Sequence, residues 1–224
     1  MSSTEFKHIP YTPICKSEKE TIQRANEFYK IMDKRRSVRF FSDKDVPEEV
    51  INNIVKTAST APSGAHKQPW TFCVIRNKDL KHKLRELAQQ EERINYESRM
   101  SDKWKEDLAH LGTDDVKEFI DIAPWIIVVM RKPYDFDENG GKLNNYYVSE
   151  SVGIASGLLI AAIHYAGLVT LTHTPSPMGF ITKALNRPNN EKPYLLLPVG
   201  YPSKNCTVPD LKRKDLNEIA FYYR

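Results

Sequence analysis

The run WIIVVM at residues 125–130 is the feature that most constrains how this chain can fold. A strand with one wet face alternates apolar and polar residues, whereas a strand covered on both faces is apolar throughout. Pro124 stands immediately before the run and marks where the strand begins. The run therefore predicts a strand of a central sheet that is covered on both faces.

Helical and strand patterns alternate along the rest of the chain. Apolar residues recur every three to four positions over 17–34, and Pro47 suits the first turn of a second helix. The segment 148–165 is apolar nearly all round and rich in small residues, which predicts a buried helix, for example at a subunit interface. We also predict strands at 70–75, 168–172 and 194–199, helices from about 80 and around 180–185, and a loop at 135–143. The fold class is therefore α/β or mixed α+β with one central sheet.

Length, charge and cysteine usage exclude several classes of protein. The 224 residues carry a net charge of +4 with acids and bases interspersed, so a nucleic-acid partner is not expected. Cys15, Cys73 and Cys206 are widely spaced without a CxxC pair, which indicates free thiols and no metal site. The longest apolar candidate, 151–162, is too short to span a bilayer, so we expect a soluble, cytoplasmic chain without a signal peptide.

Basic and backbone-rich segments flank the second predicted helix. Arg35, Arg36 and Arg39 lie within five residues, and a guanidinium group can bind a phosphate through two hydrogen bonds. Pro62-Ser63-Gly64-Ala65 offers a hydroxyl and backbone N–H groups, and Gly64 permits close approach of a ligand. The pair suits an anionic cofactor. The alternative is a solvated basic helix end followed by an ordinary turn.

Common catalytic motifs are absent from the sequence. The patterns GxSxG, HExxH, GxxxxGK[ST] and GxGxxG do not occur. Their absence removes the commonest hydrolase, metalloprotease, P-loop and dinucleotide-binding interpretations. If the protein is an enzyme, a cofactor is therefore expected to supply the chemistry.

Several segments resemble one family over nearly the whole chain from His8 onward. These are RRSVRFF at 35–41, APSGAHKQPWTF at 61–72, EERINYESRM at 91–100, AGLVTLTHTP at 166–175 and LLPVGYPSKNCTVPDLKRK at 196–214. They resemble the flavin-dependent nitroreductase superfamily, and INY with VPDLKRK resembles its iodotyrosine deiodinase branch.

The resemblance implies a nitroreductase-like α+β fold in which helices flank a central mixed sheet. It also implies an intertwined homodimer whose C-terminal extension wraps onto the partner and whose FMN sites lie at the dimer interface. Residues 1–16 would be an N-terminal extension and 17–224 one FMN-binding domain. Vertebrate members carry an N-terminal membrane anchor, and this chain would start after it.

The resemblance assigns the cofactor-binding residues segment by segment. One guanidinium near flavin N1 would favour the anionic reduced ring, and the Thr174 hydroxyl would lie against N5 as the catalytic group. His173 stands where relatives often have another threonine, and we assign it no acid–base role. The full set is Arg35, Arg36, Ser37, Arg39, Pro62, Ser63, Gly64, Thr172, His173, Thr174 and Arg213.

The same resemblance assigns residues that bind an amino acid zwitterion. Glu92 and Tyr96 are four apart and share a helix face, so Glu92 can accept from an ammonium while Lys117 holds a carboxylate. Ala65 would donate its backbone N–H to a phenolate oxygen. The polar, weakly cored stretch 91–121 would be a mobile lid over the active site. Without the resemblance, these residues would be interpreted as a surface Glu and Lys beside a packed Tyr.

The function implied is FMN-dependent reductive dehalogenation of mono- and diiodotyrosine to tyrosine and iodide, with NAD(P)H or a partner reductase as electron donor. A general nitroreductase or flavin reductase is an alternative that needs the arginines but not Glu92, Tyr96 and Lys117. A flavin- or halotyrosine-binding protein without turnover is a second alternative, and it would release no iodide.

Overall fold

The computed structural model describes residues 7–224, whose contacts divide them into two units, 7–35 and 36–224. The first unit contains helix α1 (Glu18–Asp33), which begins where the Ser17 hydroxyl accepts a hydrogen bond from the Glu20 backbone N–H. The helix predicted at 17–34 is thus confirmed. Residues 1–6 of the predicted N-terminal extension lie outside the described residues, and the proposed boundaries 1–16 and 17–224 stay predictions.

The second unit alternates helices and strands. In chain order its elements are α2 (Glu48–Ser59), β1 (Trp70–Ile75), α3 (Lys78–Ile94), a π-helix (Asn95–Arg99), α4 (Asp102–Ala109), α5 (Phe119–Ile122), β2 (Trp125–Arg131), β3 (Tyr134–Phe136), β4 (Lys142–Asn144), α6 (Val148–Tyr165), β5 (Val169–Thr170), α7 (Gly179–Ala184), β6 (Lys192–Gly200) and α8 (Leu216–Ile219).

The sheet has four strands in the order β1, β2, β6, β5, and all three pairings are antiparallel. A parallel bridge between Ser37 and Thr170 adds the segment after α1 to the β5 edge. Because of that bridge, Ser37 is placed beside the strand that leads to the predicted threonine segment.

Strand β2 lies at the centre of the sheet and is covered on both faces, as its sequence predicts. Ile127 and Val129 pack with α2 and α6, while Ile126 and Val128 pack with α3, α5 and α7. All four side chains are fully buried. Since burial of such a side chain contributes about 1.5–3 kcal/mol, this strand is a main source of the unit's stability.

The loop predicted at 135–143 is wrong in part, because its ends pair as the hairpin of β3 and β4. The Asp137 carboxylate accepts from the backbone N–H groups of Asn139 and Gly141 at 2.9 and 2.6 Å, and this closes the turn. Tyr134 and Phe136 favour a strand, but Asp135, Lys142 and Asn144 do not, so side-chain preference gave only a weak strand signal.

The strand predicted at 168–172 is shorter than expected. Regular pairing stops at Thr170, and only an isolated bridge between His173 and Leu196 continues it, with N···O distances of 2.9 and 3.0 Å. His173 is buried, whereas Thr172 and Thr174 on either side of it are exposed. The alternation is that of a strand even though the pairing is not.

Helix α6 confirms the predicted bounds but is buried on one face only. Val152, Ala155 and Leu159 lie in the core, whereas Ile154 and Tyr165 are 47 and 69% exposed. Contrary to the sequence expectation, α6 is also long and apolar enough to span a membrane, with a mean hydropathy of 1.3 over 18 residues. It packs against α2 and the sheet, as a core helix does.

Candidate active site

A cavity of about 270 Å³, here called the lid pocket, is enclosed between the sheet and the chain from α3 to α5. It brings together seven of the residues singled out in the sequence: Arg39, Glu92, Tyr96, Lys117, Thr172, His173 and Thr174. These residues come from four separate parts of the chain. Their convergence on one cavity is what a binding site requires.

Helix α3 and the π-helix place Glu92 in the lid pocket. The buried positions of α3 follow a helical stripe, and Leu84 and Ala88 on that stripe lead to Glu92 one turn later. The π-helix then inserts one extra residue into the turn, where the Met100 N–H donates to the Asn95 carbonyl at 2.9 Å. A carboxylate at the end of an apolar stripe is therefore buried by the packing of its own helix.

Glu92 and Lys117 form a buried ionic pair, with 3.9 Å between Oε2 and Nζ. Both residues are less than 9% exposed, and the Lys117 ammonium also donates to the Asp114 carbonyl. Burial raises the pKa of Glu92, although the charge of Lys117 opposes the rise. Burial likewise lowers the pKa of Lys117, opposed by Glu92. Each group has lost much of its hydration. A ligand group of opposite charge that takes the place of the lost water would therefore be bound strongly.

Tyr96 closes the lid pocket from the π-helix. Its hydroxyl donates to the Thr113 carbonyl at 3.0 Å, and burial raises the pKa of the phenol. The stretch predicted as a lid thus consists largely of helices that are joined by hydrogen bonds across the pocket. Whether it moves as a lid stays a prediction.

His173 forms part of the pocket floor as a neutral residue. Its ring meets Phe119 edge-on, with 5.6 Å between centroids, and Nε2 is buried without a partner among residues 7–224. Burial, together with the nearby charges of Lys117 and Arg39, lowers the pKa of His173 to about 3. The imidazole is therefore uncharged at neutral pH, which agrees with assigning it no acid–base role.

A second cavity of about 340 Å³, here called the arginine cavity, shares Arg39 with the lid pocket. Ser37 and residues 207–209 line it, and the Arg36 guanidinium donates to the Pro209 carbonyl. The first and last predicted flavin segments are thus neighbours. Arg213 is exposed four residues beyond that contact.

Arg35 closes the first unit. There its backbone N–H donates to the Met32 carbonyl at 3.0 Å.

The segment 62–65, here called the glycine turn, lines neither cavity. It lies instead against the start of α6, where the Gly64 N–H donates to Ser151 Oγ at 3.4 Å. A Cβ on Gly64 would be 2.8 Å from Tyr147 Cδ2, so only glycine fits. Ala65 has a φ of 49°, a left-handed conformation that costs a non-glycine residue about 1 kcal/mol. Strain of this kind concentrates at functional sites.

Sequence reasoning did not assign to the site eight of the residues that line the lid pocket. Among them, Trp104 and Leu108 are four residues apart on α4, and that spacing was a signal for one helical face directed at the pocket, whereas Met100 lies in extended backbone just before that helix. Asn95 and Ser176 join across 81 positions, where the Asn95 amide donates to the Ser176 carbonyl at 2.9 Å. Local patterns carry no signal for such a contact.

Comparisons with known proteins show the family to which this fold belongs. The model of the nitroreductase family matches residues 32–201. A nitroreductase-like protein from Streptococcus mutans has the same fold, with a TM-score of 0.65, 20% identity, and coverage of 90% of this chain and 100% of that one.

Relatives at higher identity narrow the family. An iodotyrosine deiodinase from Haliscomenobacter hydrossis is 55% identical over 96% of this chain and 97% of its own length. Human iodotyrosine deiodinase 1 is 50% identical over 97% of this chain and 76% of its own length. A crystal structure of iodotyrosine deiodinase bound to FMN and 3-iodo-L-tyrosine matches with a TM-score of 0.77 and 29% identity, covering 88% of this chain and 99% of that one. The chain belongs to the nitroreductase family and, within it, to the iodotyrosine deiodinases.

Proposed function

We propose that the protein is an FMN-dependent reductive dehalogenase that converts mono- and diiodotyrosine to tyrosine and iodide. The observation that carries the proposal is the buried pair of Glu92 and Lys117, 3.9 Å apart in the lid pocket. A general nitroreductase has no need of two opposite charges in its substrate site. The relatives named above support the same substrate class.

The two buried charges are arranged to receive a zwitterion. The Glu92 carboxylate would accept from the substrate ammonium, and the Lys117 ammonium would donate to the substrate carboxylate. Tyr96, whose hydroxyl lies on the same pocket, would donate to or accept from the same groups. Because burial has already raised the pKa of Glu92 and lowered that of Lys117, each ligand charge would favour the ionised form of its partner.

The donor set around Arg39 suits FMN. The guanidinium groups of Arg35, Arg36, Arg39 and Arg213 would hold phosphate, ribityl and ring oxygens, and the exposed hydroxyls of Ser37, Thr172 and Thr174 are open to a ligand. His173, between the two threonines, belongs to the same cofactor-binding segment. Reduced FMN would supply the two electrons that, with one proton, replace iodide by hydrogen on the ring.

Thr174 would hold the reactive edge of the flavin. Its exposed side chain lines the same pocket as Glu92 and Lys117, the two residues assigned to the substrate zwitterion. A hydroxyl there can donate to flavin N5. The Ala65 N–H would hold the substrate phenolate. Iodine next to the hydroxyl acidifies a phenol, so a site that favours phenolate selects halogenated tyrosine over tyrosine.

The protein would act as a homodimer. The glycine turn, with Pro62, Ser63 and Gly64, does not line the pocket of its own chain, and α6 beside it leaves Ile154 and Tyr165 uncovered. A second copy that covers α6 would bring its glycine turn to the flavin, and the aromatic C-terminal segment would wrap onto it. The resulting domain, 17–224, would be cytoplasmic and would receive electrons from NAD(P)H or a reductase.

Two measurements on the purified protein test this function. Apo protein titrated with FMN should quench flavin fluorescence at one site per chain, and the loaded protein reduced with dithionite should release iodide from diiodotyrosine. Iodide release that requires both FMN and reductant supports the proposal. A protein that binds FMN and reduces a nitroarene, but releases no iodide, would contradict it in favour of a general nitroreductase.

A further inference from the structure

Asn95 has a position in the lid pocket that no role assigned so far explains. It is 7% exposed, and because it follows Glu92 by three residues it lies on the same helical face as that carboxylate. Tyr96, the next residue, lines the same pocket. Its Nδ2 donates to the Ser176 carbonyl at 2.9 Å, and its Oδ1 accepts from Arg99 Nη1 at 3.1 Å. The nitrogen and the oxygen of the amide are therefore both hydrogen-bonded within the protein.

The partner carbonyl belongs to the segment that carries Thr174. Ser176 follows Thr174 by two residues, with the buried Pro175 between them. Since proline fixes its own φ angle, the link is short and stiff. On the other side of Thr174, the two backbone hydrogen bonds of His173 to Leu196 fix the chain to β6. Thr174 is thus held between one anchor on the sheet and one on the π-helix.

The anchor on the π-helix is reinforced by Arg99. Its guanidinium donates to the Ser176 carbonyl at 3.2 Å and to the Glu91 carboxylate at 2.8 Å. Arg99 is exposed, whereas Asn95 is buried, so the Asn95 hydrogen bond is the better shielded of the two. Single π-turns within helices are frequent at functional sites, and this one carries the contact.

From this geometry we propose that Asn95 is a positioning residue that couples the zwitterion site to the Thr174 segment. The inference rests on the proposed function. A halotyrosine that fixes Glu92 and Tyr96 fixes the intervening Asn95 and, through Ser176, the hydroxyl directed at the flavin. Coupling is reciprocal, so the oxidation state of the flavin must also change the affinity for the amino acid.

The test compares the affinity for 3-fluorotyrosine in oxidised and reduced FMN-loaded protein. This ligand presents the zwitterion but does not readily lose its halogen. In the wild type we expect the two dissociation constants to differ by about fivefold or more. In Asn95→Ala the ratio should move to near one, with the dissociation constant of FMN unchanged. The shift in FMN midpoint potential on adding the ligand varies with the logarithm of that ratio, so it should fall to near zero.

Two further variants make the comparison specific. Ser98→Ala on the same π-helix removes only a hydroxyl bonded to the Ile94 carbonyl, and it should keep the wild-type ratio. Asn95→Asp keeps the shape but turns a carboxylate oxygen toward the Ser176 carbonyl, and it should behave as Asn95→Ala does. Asn95→Asp can be measured in place of Asn95→Ala if the alanine variant fails to fold.

A wild-type ratio and potential shift in the Asn95 variants would overturn the coupling. That result leaves the proposed function intact, because iodide release by the wild-type protein tests the function separately. If instead the wild type shows a ratio of one, the flavin and amino acid sites are uncoupled and the inference is wrong.

Discussion

The lid pocket and the glycine turn show two ways in which one chain supplies a site. Glu92, Tyr96 and Lys117 converge within a single chain, where Glu92 and Lys117 form a buried ionic pair and the Tyr96 hydroxyl donates to the Thr113 carbonyl. The glycine turn has equally specific geometry, since Gly64 admits no side chain and Ala65 is left-handed, yet it lies against α6 and lines neither cavity.

A segment can therefore have a tightly fixed geometry without completing a site in its own chain. The lid pocket is constrained by contacts that serve it directly. The glycine turn is constrained but lines neither of these two cavities, so its role is expected to lie with a second copy. The residues that bind the amino acid would then belong to one chain, and the flavin would contact both chains.

Glu92→Gln is expected to have the largest effect. The amide keeps the shape of the side chain but loses the charge facing the substrate ammonium, which is worth about 2–4 kcal/mol for a buried pair, or roughly thirty- to a thousandfold in affinity. Isothermal titration with 3-fluorotyrosine measures this. Iodophenol, which lacks the zwitterion, should bind equally well to both proteins.

Glu97→Gln, on the exposed face of the same π-helix, is the matched control. An equal loss for iodophenol and for the amino acid would show that Glu92 supports the fold of the pocket and does not read the ligand.

Arg39→Ala tests whether the lid pocket and the arginine cavity serve one ligand pair, because Arg39 lines both. Loss of one charge-assisted hydrogen bond of about 1.5–3 kcal/mol should weaken FMN about ten- to a hundredfold. Fluorescence titration of the apo protein measures it. Arg93→Ala, an exposed arginine of α3 that pairs with Asp115, should bind FMN normally. Unchanged affinity in Arg39→Ala would mean that the arginine cavity is not the flavin site.

The burial of His173 in the lid pocket should make the free energy of unfolding depend on pH. Its pKa is about 3 in the folded chain and about 6.5 when exposed, so below pH 6.5 the unfolded chain takes up a proton that the folded chain does not. The free energy of unfolding should therefore fall as pH drops from 6.5 toward 3, by up to about 1.4 kcal/mol per pH unit. Above pH 6.5 this contribution is fully present.

Urea unfolding of His173→Asn across that range should show a flatter acid limb than that of the wild type. If the acid limb of His173→Asn is as steep as that of the wild type, the histidine is not the buried neutral group described above.

Gly157→Leu probes the uncovered side of α6 and has the smallest expected effect on one chain. A Cβ at Gly157 would meet nothing within 4 Å, so the change should stabilise the isolated helix by about 0.5–1 kcal/mol. A second copy packed on that side would clash with leucine. In sedimentation velocity, we expect the variant dimer to dissociate at a higher protein concentration than the wild-type dimer does. A dimer as tight as the wild type would place the interface elsewhere.

The sequence predicted those parts of the molecule that depend on local pattern. The apolar run of β2 predicted its burial, the four-residue spacing of Glu92 and Tyr96 predicted that they face one ligand, and both line the lid pocket. The bounds of α6 were also predicted correctly. The hairpin of β3 and β4 was missed, because the Asp137 side chain holds it together and strand propensity does not.

Contacts across long separations could not be predicted. The pairing of Asn95 with Ser176 and the placement of the glycine turn against Tyr147 depend on how whole elements pack. Resemblance supplied the site residues, but it did not say which of them a single chain brings together. That distinction came from the packing.

The most direct test of a shared flavin site is subunit complementation between Arg39→Ala and Gly64→Ala. Each variant should release little iodide, since the first loses a cofactor contact and the second forces a Cβ to within 2.8 Å of Tyr147. Co-expression with two affinity tags isolates the mixed dimer, in which one site carries both changes and the other carries neither. If each flavin site is built from two chains, the mixed dimer should release iodide at about half the wild-type rate. A mixed dimer no more active than its parents would contradict it, because each site would then be built from one chain.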